Sequence, residues 1–152
     1  MIRVRNLSTY YRSVQGTVRA VENVSFNIRD NEIVGIAGES GCGKTTLMKT
    51  LYGNVESPMY IANGSVELEV PETDGRAGRV FRNEEIKRAW WEYISYIPQA
   101  SMSVLNPVVR IKDQFLDSWR GDEIKKVGKR ILLDRMAQYL QDLELPREVL
   151  DS

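Results

Sequence analysis

The sequence predicts an α/β fold in which strands prevail over roughly the first hundred residues and helices over the rest. Residues 2–7 and 24–28 alternate apolar with polar side chains, the period of a half-buried strand. Residues 32–37 are more continuously apolar, typical of a strand buried on both faces, and a glycine-rich stretch follows them directly. From Asn106 onward, apolar residues recur at helical spacing.

The first elements follow from local signals. A short strand is expected at residues 18–21. Asp30 and Asn31 predict a turn, because both side chains tolerate unusual backbone angles. After the glycine-rich stretch, residues 44–52 are compatible with a helix, and Gly53 stands where a C-terminal glycine cap is expected.

Two strands and a short helix complete this part. Residues 64–70 alternate again. Asn83 is a suitable N-cap for a helix reaching residue 91, and residues 92–97 read as a strand that Pro98 ends.

The remaining residues predict helices. Asn106 is placed as an N-cap, with Pro107 at the first helical position. One apolar stripe follows: Val108, Ile111, Phe115 and Trp119. A longer one comes after Gly121: Ile124, Val127, Ile131, Met136, Tyr139 and Leu143. We therefore divide the chain into residues 1–100 and 101–152.

Composition excludes several classes of function. With 21 basic and 21 acidic residues the formal net charge is zero, so a nucleic-acid partner is not expected. The absence of histidine excludes histidine acid–base catalysis and histidine metal ligands. The single cysteine excludes an intrachain disulfide and fits a reducing compartment.

The glycine-rich stretch fits G-x-x-x-x-G-K-[ST] at every fixed position. Its residues are Gly38, Glu39, Ser40, Gly41, Cys42, Gly43, Lys44 and Thr45. Glycines let the backbone wrap around a phosphate, and the following helix adds its positive N-terminal end. Lys44 supplies a charge for the β- and γ-phosphates, and Thr45 offers a hydroxyl to Mg²⁺. A chance glycine-rich loop is the alternative, but this motif follows a buried-type strand and opens a helix. The predicted cofactors are ATP and Mg²⁺.

The residues around this loop resemble the ABC ATPase family, in which an antiparallel hairpin precedes the P-loop strand. Asn31 stands where that family usually has glycine. The sequence Tyr96-Ile97-Pro98-Gln99 resembles the family's Q-loop. The resemblance implies a P-loop NTPase (ABC ATPase) core with an antiparallel β subdomain. Part of the α-helical subdomain follows, and the chain is truncated before the signature motif.

The resemblance also implies roles for residues outside the motif. Gln99 would help to hold Mg²⁺ and the attacking water, so that Lys44 and Gln99 contribute to catalysis. Thr46 would join the nucleotide-binding set. Tyr11 falls where the family places an aromatic ring on adenine; Tyr10 is the alternative, and either tyrosine could instead pack at a sheet edge.

A subgroup is indicated by Leu105-Asn106-Pro107, Ile111 and Gln114, which resemble the importers of oligopeptides and dipeptides. That group commonly has Asp-Pro after the glutamine, where this chain has Ala100-Ser101, and importers of oligosaccharides share the subunit type. The implied partners are a second ATP-binding subunit, in a head-to-tail dimer, and transmembrane permease subunits reached through the Q-loop and the helical subdomain. The implied location is the cytoplasmic face of the cell membrane.

Three family features are not found in these 152 residues: the LSGGQ-type signature, the Walker B acids and the switch histidine. Residues 130–135 superficially resemble a Walker B strand but fit the helical stripe. We therefore expect a fragment that binds nucleotide and hydrolyses almost none. The alternatives are an ABC-type ATPase of DNA repair or translation, and a non-catalytic nucleotide-binding regulatory module.

Overall fold

The computed structural model describes residues 1–72, 77–98, 105–119 and 121–152, with the backbone alone for 121–123. The chain forms two compact units, Met1–Tyr96 and Ile97–Ser152. The first holds the sheet and the glycine-rich loop, and the second is helical. No helix in the described parts of the chain is long and apolar enough to cross a membrane.

The first unit is built on a four-stranded antiparallel sheet with the order β2-β1-β3-β4. The strands are β1 (Ile2–Ser13), β2 (Gly16–Ile28), β3 (Met59–Val70) and β4 (Arg79–Arg82). β1 and β2 form a long hairpin that runs from the pair Ile2–Ile28 to the pair Ser13–Gly16. The predicted strands at residues 2–7, 18–21 and 24–28 are therefore portions of one hairpin.

Helix α1 (Lys44–Leu51) and the 3-10 helix Asn83–Ala89 share the sheet's hydrophobic core. The buried residues are Val4, Leu7, Leu51, Val66, Leu68, Phe81, Ile86 and Ala89. As predicted, Gly53 ends α1: its φ is 76°, and the amide of Asn54 donates to the Lys49 carbonyl at 2.9 Å. This left-handed closure satisfies carbonyls that the last helical turn leaves free.

The helix observed at residue 83 differs in type from the predicted one. It is a 3-10 helix that ends at Ala89, and Asn83 does not cap it. The Asn83 side chain instead accepts a hydrogen bond from the amide of Val66 in β3, at 2.8 Å. Asn83 has a φ of 49°, which turns the chain sharply out of β4.

Two predicted strands are not present in the described residues. Residues 32–37 have no strand partner, and Ile33 is fully exposed. A strand buried on both faces requires neighbours on each side, and the described part of the chain supplies none for this segment. Residues 92–97 make only an isolated bridge, Trp90 to Ile94. There the Trp90 ring stacks on Tyr52, with centroids 4.4 Å apart.

The second unit consists of α2 (Ile111–Ser118), α3 (Gly121–Val127), α4 (Lys129–Asp142) and the 3-10 helix Arg147–Asp151. Its core contains Leu116, Leu132, Met136, Ala137, Leu140 and Leu150. The predicted long helix after Gly121 is interrupted at Gly128, whose φ is 89°. This break shifts the buried stripe, so that Ile131, Tyr139 and Leu143 are exposed instead of buried.

The predicted cap at Asn106 is also wrong. Asn106 lies in a turn before α2, where its side-chain oxygen accepts from the amide of Val108 at 3.1 Å. Gln114 holds this turn: its Oε1 accepts from the Asn106 amide at 2.8 Å, and its Nε2 donates to the Val109 carbonyl at 2.6 Å. Helix α2 therefore begins only at Ile111. Residues 130–135 lie inside α4, as the helical interpretation requires.

Candidate phosphate-binding site

The glycine-rich loop lies directly against β2. Gly43, the residue before α1, has a φ of 98°, and a Cβ at this position would lie 2.2 Å from the Ala20 carbonyl oxygen. Only glycine allows both this conformation and this approach. A cavity of about 240 Å³ flanks the loop at this point, lined by residues that include Ala20, Gly43 and Lys44. The packing against β2 therefore fixes where the loop enters the helix.

The Lys44 side chain folds back over its own loop. Its Nζ donates to the carbonyl oxygens of Gly38 at 2.7 Å and Glu39 at 2.6 Å, and lies 3.6 Å from the Cys42 Sγ. The ammonium group therefore lies over the loop, among neutral acceptors. An anionic oxygen makes a stronger, charge-assisted hydrogen bond with such a donor.

The N-terminus of α1 has no capping side chain. Gly43 occupies the N-cap position without a side-chain hydrogen bond, and the first turn contains no acidic residue. The first amides of a helix lack partners within the helix, and its dipole makes this end positive. The glycine cradle, the ammonium group and these amides together fit a bound phosphate group.

A triphosphate with Mg²⁺ also fits the residues present. Thr45 is exposed at the start of α1, where its hydroxyl can reach a cation on the phosphates. In the described parts of the chain, no group of three or more His, Cys, Asp or Glu side chains could hold a metal ion. In protein sites that hold Mg²⁺ on a nucleotide, phosphate oxygens are usually among the ligands of the ion. Gln99, the other predicted ligand, lies outside the described residues.

The structure distinguishes the two candidate tyrosines. Because they are neighbours on β1, Tyr10 and Tyr11 point to opposite faces of the sheet. The Tyr11 hydroxyl lies 3.0 Å from the Thr46 hydroxyl on α1. The Tyr10 hydroxyl donates to Glu22 at 3.3 Å, and its ring packs edge-on against Tyr60. The structure brings Tyr11 to α1, the helix that follows the glycine-rich loop, and leaves Tyr10 on the other face.

A chain of hydroxyl groups connects β1 to α1, and the sequence analysis missed it. The Thr50 hydroxyl donates to the Thr46 carbonyl at 2.8 Å and lies 3.2 Å from the Thr9 hydroxyl. Thr9, Thr46 and Thr50 are all buried. The i, i+4 spacing of Thr46 and Thr50 was the available signal, but their partners on β1 follow only from the fold.

The other predicted residues of the loop lie on its surface. Glu39, Ser40, Gly41 and Cys42 are exposed, and Cys42 is a free thiol. Outside the loop, Trp90 packs within the first unit, where its indole N–H donates to the Tyr52 carbonyl at 2.7 Å.

Comparison with known families decides the relationship. A profile described as ABC transporter matches residues 21–149, which includes the entire glycine-rich loop. The chain belongs to the ABC transporter family.

Three individual members of the ABC family show how similar the chain is to known proteins and how much of each it covers. The chain is 28% identical to a dipeptide transport ATP-binding protein of Caldanaerobacter subterraneus over 153 residues, covering all of this chain and 45% of that protein. It is 29% identical to a putative peptide import ATP-binding protein of Brucella ovis, covering 99% of this chain and 44% of the relative. A methionine import ATP-binding protein of Bacillus subtilis is 41% identical, but over 55% of this chain and 24% of its own length. The chain thus spans less than half the length of the curated relatives it matches.

Proposed function

We propose that this chain is the nucleotide-binding part of the ATP-binding subunit of an ABC importer, and that the importer carries peptides. The observation on which the proposal rests is the loop at residues 38–45, with Lys44 lying over its carbonyls and an uncapped helix behind it. We propose peptides as the cargo because two relatives matched over almost the whole chain are named for dipeptide transport and peptide import.

In the proposed site each group has a distinct task. The loop amides and the Lys44 ammonium bind the β- and γ-phosphates. Thr45 and Gln99 hold Mg²⁺, which when bound neutralises charge on the phosphates. Thr46 lies at the same helical turn, and Tyr11 supplies a ring for the adenine.

The proposed partners follow from the same assignment. A second ATP-binding subunit would associate head to tail, and permease subunits would contact the segment around Gln99 and the helical unit. The assembly would work at the cytoplasmic face of the membrane. The 152 residues contain no histidine, no LSGGQ sequence and no Walker B acids, so we propose that this chain alone binds ATP with little hydrolysis.

Displacement of a fluorescent ATP analogue from the purified chain tests the nucleotide assignment. Replacing Lys44 with alanine removes a charged hydrogen-bond donor, so we expect affinity for Mg-ATP to fall on the order of ten- to a hundredfold. Lys49→Ala is the matched control, because Lys49 lies in the last turn of the same helix. Equal binding by wild type and the Lys44 variant, or an equal loss in the Lys49 variant, would contradict the proposal.

A further inference from the structure

The Tyr11 side chain is held at both of its ends. Its backbone pairs with Val18 of β2 on one side and with Met59 of β3 on the other. Its hydroxyl lies 3.0 Å from the Thr46 hydroxyl, whose residue is only 7% exposed. The ring therefore spans from an interior strand of the sheet to the first turn of the phosphate-binding helix.

This bond matters because of where Thr46 lies. Thr46 is the third residue of α1, two positions after Lys44, and its main chain belongs to the first turn, whose amides lack partners within the helix. The Thr50 hydroxyl donates to the Thr46 carbonyl of this turn. It also lies beside the Thr9 hydroxyl on β1, so the turn is linked to the sheet. The position of the Tyr11 ring is thus linked directly to the groups that would bind phosphate.

We propose that the Tyr11 hydroxyl is a positioning group that sets the aromatic ring at a fixed distance from the phosphate-binding turn. The inference rests on the proposed nucleotide function and extends it. A ring that is fixed before binding loses less side-chain freedom when a base stacks on it. The hydrogen bond therefore favours ligands in which a planar base and a polyphosphate belong to the same molecule.

The proposal separates the hydroxyl of Tyr11 from its ring. Tyr11→Phe retains the stacking surface and removes only the bond to Thr46. Because such a bond contributes modestly, affinity for Mg-ATP should fall about three- to tenfold. Affinity for Mg-tripolyphosphate, which has no base, should be unchanged.

Calorimetric titration of the full 152-residue chain with both ligands provides the test. The variants are Tyr11→Phe, Thr46→Val and the double variant. Tyr10→Phe is the matched control, since it removes the adjacent hydroxyl on the opposite face of the sheet. In the Thr46→Val background, Tyr11→Phe should have no further effect on ATP, because the two changes remove the same bond.

The outcomes separate this inference from the proposed function. Wild-type binding of neither ligand would contradict the nucleotide assignment itself. If wild type binds both, an unchanged ATP affinity in Tyr11→Phe would overturn the positioning role. Equal losses for ATP and tripolyphosphate would also overturn it, because they would show that the hydroxyl only supports the fold of the loop.

Discussion

Gly43 shows how a single residue couples the binding loop to the sheet. Its left-handed φ of 98° is costly for any other residue, and a methyl group would lie 2.2 Å from the Ala20 carbonyl oxygen. Ala20 lies in β2 at the register shift between the pairs Thr9–Val21 and Tyr10–Arg19, so movement of its carbonyl would alter the hairpin at that point. The loop therefore depends on glycine here for two separate reasons.

We expect Gly43→Ala to lower the free energy of unfolding by about 1–3 kcal/mol through backbone strain alone. The collision with β2 should add to this loss and displace the loop, so nucleotide binding should weaken as well. Urea denaturation followed by circular dichroism measures the first effect.

Gly35→Ala is the control for this substitution. Gly35 lies in the segment before the loop, its φ is not in the left-handed region, and an added Cβ would meet no atom within 4 Å. A stability loss in Gly35→Ala as large as that in Gly43→Ala would show that the contact with Ala20 is not the cause.

At the scale of elements, α4 shows why helical periodicity located a helix but misplaced its buried face. The apolar residues from Ile124 to Leu143 fit a single stripe only if the helix is continuous. Gly128 interrupts it with a φ of 89°, and the helical phase restarts at Lys129. Leu132 is completely buried as a result, whereas Ile131 is 52% exposed.

Substitutions at two neighbouring residues test which face of α4 is buried. Leu132→Ala removes a core side chain and should destabilise the helical unit by about 2–5 kcal/mol. Ile131→Ala, on the exposed face, should cost no more than about 0.5 kcal/mol. Chemical denaturation monitored by far-ultraviolet circular dichroism measures both, and a larger effect at Ile131 would contradict the observed packing.

At the scale of the whole molecule, local signals predicted the helix that begins at Lys44 and ends before Gly53, and the structure confirms it. Residues 38–45 are predicted to bind phosphate because each fixed position of the motif answers a local requirement of that chemistry. Strand partners could not be predicted in this way. The apolar run at residues 32–37 indicates a buried strand, but whether it pairs depends on neighbours that local sequence does not specify.

The hydroxyl contacts of the site could not be predicted either, because they also depend on which elements pack together. Tyr11 and Thr46 lie 35 positions apart, and Thr9 and Thr50 lie 41 apart. Only the packing of α1 on β1 brings the hydroxyl groups of each pair together. Asn83 and Asn106 illustrate the same limit. Both are good caps by residue type, yet each side chain bonds elsewhere: Asn83 to β3, and Asn106 to its own turn.

The central claim is that the main-chain amides at residues 38–46 bind the phosphates of ATP. Titration of the ¹⁵N-labelled chain with Mg-ATP, followed by two-dimensional nuclear magnetic resonance, tests it most directly. We expect the amide signals of Gly41, Gly43 and Lys44 to shift most, while those of α4 stay unchanged. Saturating shifts elsewhere with these three amides unmoved, or no shifts at any concentration, would contradict the account.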